Sequence, residues 1–426
     1  MAHNTRLLTL VSIATVCITL ACSAILAYQR GLTSTLEGES AQTAREFLKT
    51  GDFSVNHLNG QEDYDKPPLF YWMIASFSLI SHSVNELTSR LPSLVSALVI
   101  IILFPLIDQK KEARHIAVIA SAMFIACPKV FWMSQTARID MVLTLFCFSA
   151  IVFFILYRHE TGRNKKAVYH YLFFVASALG VMAKGPVGMI IPWVPVFLFL
   201  LIKREFQEIK AFFLGKGLLI FVLIALPWFV VASIKTDGRF FNQFILNENL
   251  SRFSDLLRTH GATKFNHQPA LRYIPYFMFG FFPWSLFFLA FIYHFFRFRK
   301  EYRETDLFLF VYFAFVFVFF TLSGVKRSDY ILPLYPAAAY LCARFVLMKG
   351  ADSAYTTAFI LSLLIFLITG AVLTSAPLFT NGQIGHAFLS RYVPAAKLQK
   401  QELIVAHAAD ALPFSAVLLA VTLGSF

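Results

Sequence analysis

Long apolar segments recur along almost the whole chain. Successive runs of roughly 17 to 25 residues are long enough to cross a hydrocarbon layer of about 30 Å, at about 1.5 Å per helical residue. Hydrophobic residues make up 58% of the 426 residues, and mean hydropathy is +0.65. The sequence therefore predicts an all-α polytopic membrane protein. The predicted spans are 7–28, 87–107, 116–133, 141–157, 168–182, 187–202, 212–231, 273–296, 307–322, 331–347, 355–374 and, as the weakest candidate, 411–426.

The two ends of the chain bound its domain organisation. The first apolar run follows Arg6 and resembles a signal peptide, but about 22 residues exceed a typical signal core, so we expect a retained first span. Residues 1–376 are predicted to form one multi-span domain, which includes the outer loops 29–86 and 235–272. Residues 377–426 form a short tail that could hold a last transmembrane helix and is too short for a soluble domain.

The distribution of basic residues predicts the orientation. A net charge of +13 could indicate nucleic-acid binding, but the excess lies in short loops between apolar runs, which is typical of membrane topology. With a cytoplasmic N-terminus, the inside loops are 108–115, 158–166, 203–210, 297–306 and 348–353. The opposite side receives 29–66, 134–140, 183–186, 235–272, 323–330 and the residues after 376. Almost every unusual polar cluster lies on this second side.

Residues 67–80 are the one short apolar segment, with about 14 residues against the ~20 that a span needs. If they crossed the membrane, the lysine bias would invert. We therefore expect an interfacial helix. The five cysteines lie inside apolar runs without metal-ligand spacing, so neither a disulfide framework nor a cysteine metal site is predicted.

A polar stretch from Glu37 to Trp72 follows the first span. Near its end, Pro67 keeps Lys66 extended, and a helix is predicted to begin at Pro67 or Pro68. A lysine beside unpaired helix N–H groups suits a phosphate. The alternative is an interfacial turn with a snorkelling lysine. Upstream, residues 39–49 have the spacing of a surface helix, and Glu37 immediately before it serves either as a helix cap or in catalysis.

Further polar groups lie at predicted outer span ends. Asp140, beside Arg138, is a site candidate, although such pairs often only mark the interface. Arg252 lies in an outer loop, where an arginine can clamp phosphate or be merely solvated. Lys326, Arg327 and Tyr330 precede a span, against the positive-inside tendency, which favours an anionic ligand. Lys184-Gly185-Pro186 repeats the arrangement at Lys66, a lysine before a proline that opens a helix, and the alternative is a tight outer turn.

The order of these motifs resembles the dolichyl-phosphate-mannose protein mannosyltransferase superfamily, above all the bacterial branch of glycosyltransferase families 39 and 83 that includes the lipid A aminoarabinose transferase. The motifs that carry the resemblance are Ala44-Arg45-Glu46, Asn59-Gly60, Asp65-Lys66-Pro67-Pro68-Leu69, Arg90-Leu91-Pro92-Ser93, Ala137-Arg138-Ile139-Asp140, Lys184-Gly185-Pro186-Val187-Gly188, Glu248-Asn249 with Arg252-Phe253, and Tyr330-Ile331-Leu332-Pro333 with Tyr335-Pro336. They extend from about residue 7 to residue 339.

The resemblance implies a third-class (GT-C) glycosyltransferase fold with outer juxtamembrane helices and a polyprenyl-phosphate sugar as donor. By matching position, Lys66, Arg252 and Tyr330 hold the carrier phosphate. Asp140 matches the family's second acidic position. Asp65 replaces a glutamate at a position proposed to meet a divalent metal ion, the one cofactor the resemblance implies.

One departure affects the predicted catalytic residues. The family usually has Asp-Glu at the head of the outer helix and an arginine two residues later; here Leu36-Glu37 is followed by Glu39. Either Glu37 takes over as base, or Asp140 does, or activity is altered.

The predicted function is an inverting sugar transfer at the periplasmic face of the bacterial inner membrane. The acceptor would be a lipid A-type glycolipid, another glycan or a protein hydroxyl. Cations would stabilise the leaving phosphate and a carboxylate would accept the acceptor proton. The alternatives are a transporter or flippase of lipid-linked sugars, which would favour charged groups near the midplane, and a non-catalytic relative.

Overall fold

The computed structural model describes residues 2–32, 34–108, 113–244, 269–323 and 326–348. Within these ranges the helices are α1 (Ala2–Gln29), α2 (Thr35–Thr50), α3 (Leu69–Ser81), α4 (Glu86–Ile107), α5 (Ala113–Ala126), α6 (Pro128–Ser134), α7 (Ile139–His159), α8 (Arg163–Lys184), α9 (Val187–Ile202), α10 (Phe206–Phe213), α11 (Lys216–Lys235), α12 (Tyr273–Gly280), α13 (Trp284–Arg297), α14 (Glu304–Leu322) and α15 (Tyr335–Met348). The predicted spans 355–374 and 411–426 lie outside the described residues, as does Arg252.

The described helices confirm a multi-pass membrane protein. Six of them, α1, α4, α7, α8, α11 and α14, are long and apolar enough to cross a membrane, and α9 is a shorter apolar helix. On α11, large apolar side chains stay exposed, among them Leu223 at 63% and Ile234 at 72%. Such a face suits lipid rather than water.

Two predicted spans are not single straight helices. Residues 116–133 divide into α5 and α6 with a bend of 74°, and residues 273–296 divide into α12 and α13 with a bend of 115°. Pro128 opens α6 after the extended Cys127, and Pro283 is the N-cap of α13. A proline lacks the N–H that would continue the preceding helix and its ring clashes with the previous turn.

The outer segment before α4 begins earlier than predicted. Helix α2 starts at Thr35 rather than Glu39, because the extended Ser34 caps it and accepts a hydrogen bond from the N–H of Glu37 at 3.3 Å. Glu37 therefore lies in the first turn of the helix, not before it. Helix α3 starts at Leu69 with Pro68 as its N-cap, one or two residues later than predicted.

A two-stranded antiparallel hairpin separates α2 from α3. Strands β1 (Asn56–Leu58) and β2 (Gln61–Asp63) pair Leu58 with Gln61 across a two-residue turn. Asn59 and Gly60 both have positive φ, at 54° and 78°, as the Asn-Gly hairpin turn requires. The all-α prediction did not include this hairpin. Helix α3, which follows it, has 13 residues and packs against α2 and α4.

The predicted loops gather at two opposite ends of the bundle. At one end, Arg158 at the end of α7 donates to Glu304 at 2.8 Å and pairs with Glu205, and Arg303 pairs with Asp108. These residues belong to the loops predicted to be cytoplasmic. The loops assigned to the other side meet at the other end, where the candidate site lies.

Candidate functional site

Asp140 lies in the first turn of α7, at the end of the bundle predicted to face outward. Its side chain is 5% exposed. Nζ of Lys184, the last residue of α8, donates to Oδ1 at 2.5 Å, and Nη2 of Arg138 lies 3.7 Å from Oδ2. The carboxylate is therefore held between two cations at the ends of two spans.

Asp329 is the second carboxylate of this region. Its Oδ2 lies 2.6 Å from Nη2 of Arg138 and 3.3 Å from Nη2 of Arg327. Its Oδ1 pairs with Lys129 of α6. Burial raises the pKa of Asp329, but the charges and hydrogen bonds of the three cations outweigh burial and lower the pKa to about 2.

Together these side chains form what we call the cation cluster, defined as Lys129, Arg138, Lys184 and Arg327 with the carboxylates Asp140 and Asp329. Four cations against two carboxylates leave the cluster positive. The ring of Tyr330 lies beneath Lys184, with its centroid 4.6 Å from Nζ. A net positive, partly buried group of lysines and arginines at a span end suits a phosphate.

Glu37 lies next to this cluster but faces a different partner. Glu37 and Arg90 are both fully buried, with Oε1 of Glu37 3.0 Å from Nε of Arg90. The same oxygen accepts from the N–H of Ala137 at 2.9 Å. Arg90 also donates to the carbonyl oxygens of Ala27 at 3.0 Å and Gly31 at 2.7 Å. The Glu37–Arg90 pair thus connects α1, α2 and α4 to the residue before Arg138.

Two of the predicted phosphate-binding residues occupy other positions. Lys326 is 5% exposed and donates to the carbonyl oxygens of Thr321 at 2.9 Å and Ser323 at 2.6 Å, which caps the end of α14. Burial lowers the pKa of Lys326. Lys66 pairs with Asp65 at 2.7 Å. Their assignment to the phosphate stays a prediction, as does that of Arg252.

The loop that carries Lys66 is nevertheless close to the cation cluster. Leu69, three residues after Lys66, packs against a buried group that includes Ala137 and Ala183. These alanines directly precede Arg138 and Lys184 in the sequence. In addition, the amide of Asn56 donates to the carbonyl of Lys66 at 2.6 Å, so that the hairpin fixes the loop.

The surroundings of Asp65 do not provide a cage for a metal ion. Asp65 is ion-paired with Lys66 at 2.7 Å, and its N–H donates to Asp63 at 3.0 Å. In the part of the chain that the structure describes, no group of three His, Cys, Asp or Glu side chains is placed to ligate one ion. A divalent ion has one or two carboxylates here, too few for a site built from protein alone.

Sequence reasoning missed three members of the cation cluster as site residues. Lys129 lies inside an apolar run, where an ionisable group is by itself a functional signal. Asp329 lies in the segment 323–330, where the sequence draws attention to Lys326 and Arg327 rather than to the carboxylate. For Lys184, the pattern favours a turn over a second phosphate-binding lysine. The turn itself is confirmed by Gly185, whose φ is 83°, but its lysine also pairs with Asp140.

Comparisons with known proteins show what this chain is similar to. The family model for dolichyl-phosphate-mannose-protein mannosyltransferase matches residues 37–238. An uncharacterized protein of Aquifex aeolicus is 27% identical over 341 residues, which are 79% of this chain and 73% of that protein. The undecaprenyl phosphate-alpha-4-amino-4-deoxy-L-arabinose arabinosyl transferase of Aeromonas hydrophila is 26% identical over 82% of this chain. The chain spans about 63% of the length of that transferase.

The fold has counterparts among solved structures. ArnT from Cupriavidus metallidurans bound to undecaprenyl phosphate superposes with a TM-score of 0.78, at 20% identity over 97% of this chain and 72% of that protein. The Archaeoglobus fulgidus oligosaccharyltransferase gives 0.50, at 14% identity over 97% of this chain and 56% of that protein. These comparisons confirm the predicted resemblance to the mannosyltransferase superfamily and the GT-C fold.

Proposed function

We propose that this chain, a relative of the dolichyl-phosphate-mannose-protein mannosyltransferases, transfers a sugar from a polyprenyl-phosphate donor to an envelope acceptor. The observation that carries the proposal is the cation cluster at the end of a multi-span bundle. There, Lys184 and Arg138 flank Asp140 within 2.5 and 3.7 Å. This arrangement combines a binding place for phosphate with a carboxylate that can accept a proton.

The cations supply the first requirement of the reaction. Transfer breaks the bond between the sugar anomeric carbon and the phosphate oxygen, so negative charge develops on the leaving lipid phosphate. Lysine and arginine groups fixed before the reaction stabilise that charge in a site that excludes water. Lys184 and Arg138 lie at the ends of α8 and α7, and Lys129 follows the bend between α5 and α6.

Asp140 supplies the second requirement. As the acceptor hydroxyl attacks the anomeric carbon, its proton needs a base within hydrogen-bond reach. A donor phosphate that engages Lys184 competes with Asp140 for the ammonium and so frees a carboxylate oxygen to accept this proton. Attack from the face opposite the phosphate inverts the anomeric centre. Glu37 is buried against Arg90, and this position supports a positioning role.

The compartment and acceptor belong to the same proposal. Basic loops at the opposite end of the bundle support a cytoplasmic assignment for that end, which would place the cation cluster at the periplasmic face of a bacterial inner membrane. The acceptor is a lipid A-type glycolipid, another glycan or a protein hydroxyl. For a flippase, charged groups near the midplane are typical, whereas the cation cluster gathers at span ends.

The test is a transfer assay with purified chain in lipid nanodiscs, undecaprenyl-phosphate sugar and envelope extract as acceptor. Lys184→Gln is expected to weaken donor binding at least tenfold and so to reduce transfer at limiting donor concentration. Lys235→Gln, at a 51% exposed lysine paired with Asp52, is the matched control and should transfer normally. Movement of donor lipid across vesicles without covalent transfer would instead establish the flippase, and undiminished transfer by Lys184→Gln would refute the phosphate site.

A divalent metal ion at Asp65 is kept as a separate proposal from the family resemblance. No step above depends on it. Transfer measured after chelation and again after Mg²⁺ or Mn²⁺ is restored tests it directly, with Asp65→Asn as the variant. Equal rates before and after chelation would exclude a required ion.

A further inference from the structure

Arg30 lies at the outer end of the first span. The apolar part of α1 ends at Gln29, and Arg30 is the next residue. Its guanidinium carbon lies 4.4 Å from the ring centroid of Trp132 on α6. Its Nη2 donates to the carbonyl of Gln135 at 3.2 Å. Arg30 is therefore held by two contacts, neither of which carries negative charge.

Arg30 forms no salt bridge with a carboxylate of the described residues, because the nearby Glu37 pairs with Arg90 and offsets the surroundings of Arg30 only in part. The buried Nε of Arg30 has no hydrogen-bond partner. Arg90, next to it, donates to the backbone carbonyl of Arg30, but the charge of Arg90 is paired with Glu37. A guanidinium presents five N–H donors in a planar fork, so donors remain for an anion.

The electrostatic surroundings agree with this interpretation. Burial lowers the pKa of Arg30, the neighbouring charge of Arg90 lowers it further, and Glu37 offsets only part of the effect. A cation that its surroundings disfavour is stabilised when an anion arrives. A cation–π contact uses the face of a guanidinium, whereas its N–H groups bind anions in the guanidinium plane.

The position of Arg30 selects the kind of anion. Trp132 is 45% exposed, and an exposed tryptophan with an arginine at a span end marks the level of lipid headgroups. Phosphate is the anion that lipids supply at this level. Arg30 also contacts Gln135, only three residues before Arg138 of the cation cluster. A lipid held by Arg30 therefore lies near the reacting groups.

We propose that Arg30 and Trp132 form a second phosphate-binding site, which takes the headgroup phosphate of a lipid other than the sugar donor. The inference rests on the proposed function in one respect: a phosphorylated glycolipid acceptor would be placed by this site while the donor phosphate occupies the cation cluster. A phospholipid of the surrounding bilayer carries the same chemistry and is the other source.

Binding is measured with the full chain in a phosphate-free maltoside detergent, by native mass spectrometry of added short-chain lipids. The probes are diphosphorylated lipid A, its dephosphorylated form and phosphatidylglycerol. We expect Arg30→Gln to weaken binding of at least one phosphate lipid tenfold or more, without changing the binding of dephosphorylated lipid A. Trp132→Leu keeps the charge of Arg30 and removes the ring that stacks on it. This variant should weaken binding of the same phosphate lipid about threefold.

The matched control is Arg272→Gln. Arg272 is an exposed arginine 5.6 Å from the Tyr276 ring centroid, so it shares the stacking but not the burial, and binding should stay unchanged. If Arg30→Gln loses binding of diphosphorylated lipid A alone, the site belongs to the acceptor. If it loses binding of both lipid A and phosphatidylglycerol, the site takes headgroup phosphates in general. Either result supports the proposal. Equal binding by wild type, Arg30→Gln and Trp132→Leu would overturn it.

This readout needs neither donor nor turnover, so it can fail independently of the transfer reaction. If Arg30-dependent binding is present and no sugar is transferred, the proposed function fails alone. If sugar is transferred normally and binding ignores Arg30, the second phosphate site fails alone.

Discussion

Oε1 of Glu37 lies 3.0 Å from Nε of Arg90, and neither side chain is exposed to solvent. The two residues are 53 positions apart and come from the outer helix α2 and the spanning helix α4. Because Glu37 also accepts from the N–H of Ala137 at 2.9 Å, the pair fixes the backbone that presents Arg138 and Asp140. A buried charge whose partner is removed is far more costly than a missing surface pair.

Glu37→Gln should therefore destabilise the fold by about 3–5 kcal/mol, because Arg90 is left buried without its counter-charge. The measurement is thermal unfolding of the purified protein in detergent. Glu86→Gln, at an exposed glutamate in the first turn of α4, is the matched control and should change stability by less than about 0.5 kcal/mol.

The same variant separates positioning from catalysis. A positioning role predicts that lost activity follows lost folded protein, and that transfer recovers partly under stabilising conditions. A Glu37→Gln protein that melts like wild type but has lost turnover would show instead that Glu37 is the base.

Asp140→Asn tests the proposed base. We expect turnover to fall about 10²–10⁴-fold, the range for loss of a general base, while donor binding is retained or tightened, because the cations remain and Lys184 no longer pairs with a carboxylate at residue 140. Single-turnover rates and donor binding should be measured separately. If Asp140→Asn retains normal turnover, the proton must pass to another group.

Asp329→Asn should destabilise the protein by about 2 kcal/mol at neutral pH, given a pKa lowered from 3.8 to about 2. Because the folded-state pKa is depressed, this stabilisation is present above the ordinary pKa and is lost as the pH falls towards about 2. The difference in the free energy of unfolding between wild type and Asp329→Asn should therefore shrink as the pH falls from about 4 to about 2.

The free energy of unfolding of wild type and of Asp329→Asn, measured across this pH range, tests the prediction. Glu86→Gln is the control, since Glu86 is exposed in the first turn of α4 and such surface changes alter stability by about 0.5 kcal/mol or less. A constant difference between wild type and Asp329→Asn down to pH 2 would contradict the role given to the Asp329 carboxylate.

The fold was largely predictable because span length and loop charge are local properties of the sequence. Every predicted span within the described residues has a helical counterpart. The bends at Pro128 and Pro283 were not predicted, since a proline in an apolar run is compatible with either a kink or a break. The hairpin at Asn59-Gly60 could have been found, because that dipeptide is a strong turn signal.

The site was less predictable because its contacts join distant residues. Lys184 reaches Asp140 across 44 positions, and Arg138 reaches Asp329 across 191. No local pattern encodes such pairs. The order of motifs points to the end of the bundle where the cation cluster lies, yet burial of Glu37 and of Lys326 follows from tertiary packing alone.

The packing of α8 against α9 supports the position of Lys184 and yields a last prediction. Gly188 lies so close to α8 that an added Cβ would meet the carbonyl carbon of Gly180 at 2.1 Å and the backbone nitrogen of Val181 at 2.5 Å. These are backbone atoms, which cannot rotate away as a side chain could. Small residues at helix crossings allow this kind of close approach within membranes.

Gly188→Ala should therefore push α9 away from α8 and displace the turn that carries Lys184. We expect a loss of stability of about 3 kcal/mol, the upper part of the range for overpacking, together with weaker donor binding in the protein that remains folded. Gly180→Ala meets its nearest atom, the carbonyl oxygen of Gly188, at 3.1 Å and should be milder.

Gly38→Ala is the control for the glycine change itself, since an added Cβ meets nothing within 4 Å there. It should be neutral or slightly stabilising, because alanine favours a helix such as α2. Thermal unfolding and donor binding should be measured for Gly188→Ala, Gly180→Ala and Gly38→Ala. The expected order of damage is Gly188→Ala first, then Gly180→Ala, with Gly38→Ala unaffected. If Gly188→Ala binds donor as wild type does, then the cation cluster does not depend on the close contact between α8 and α9.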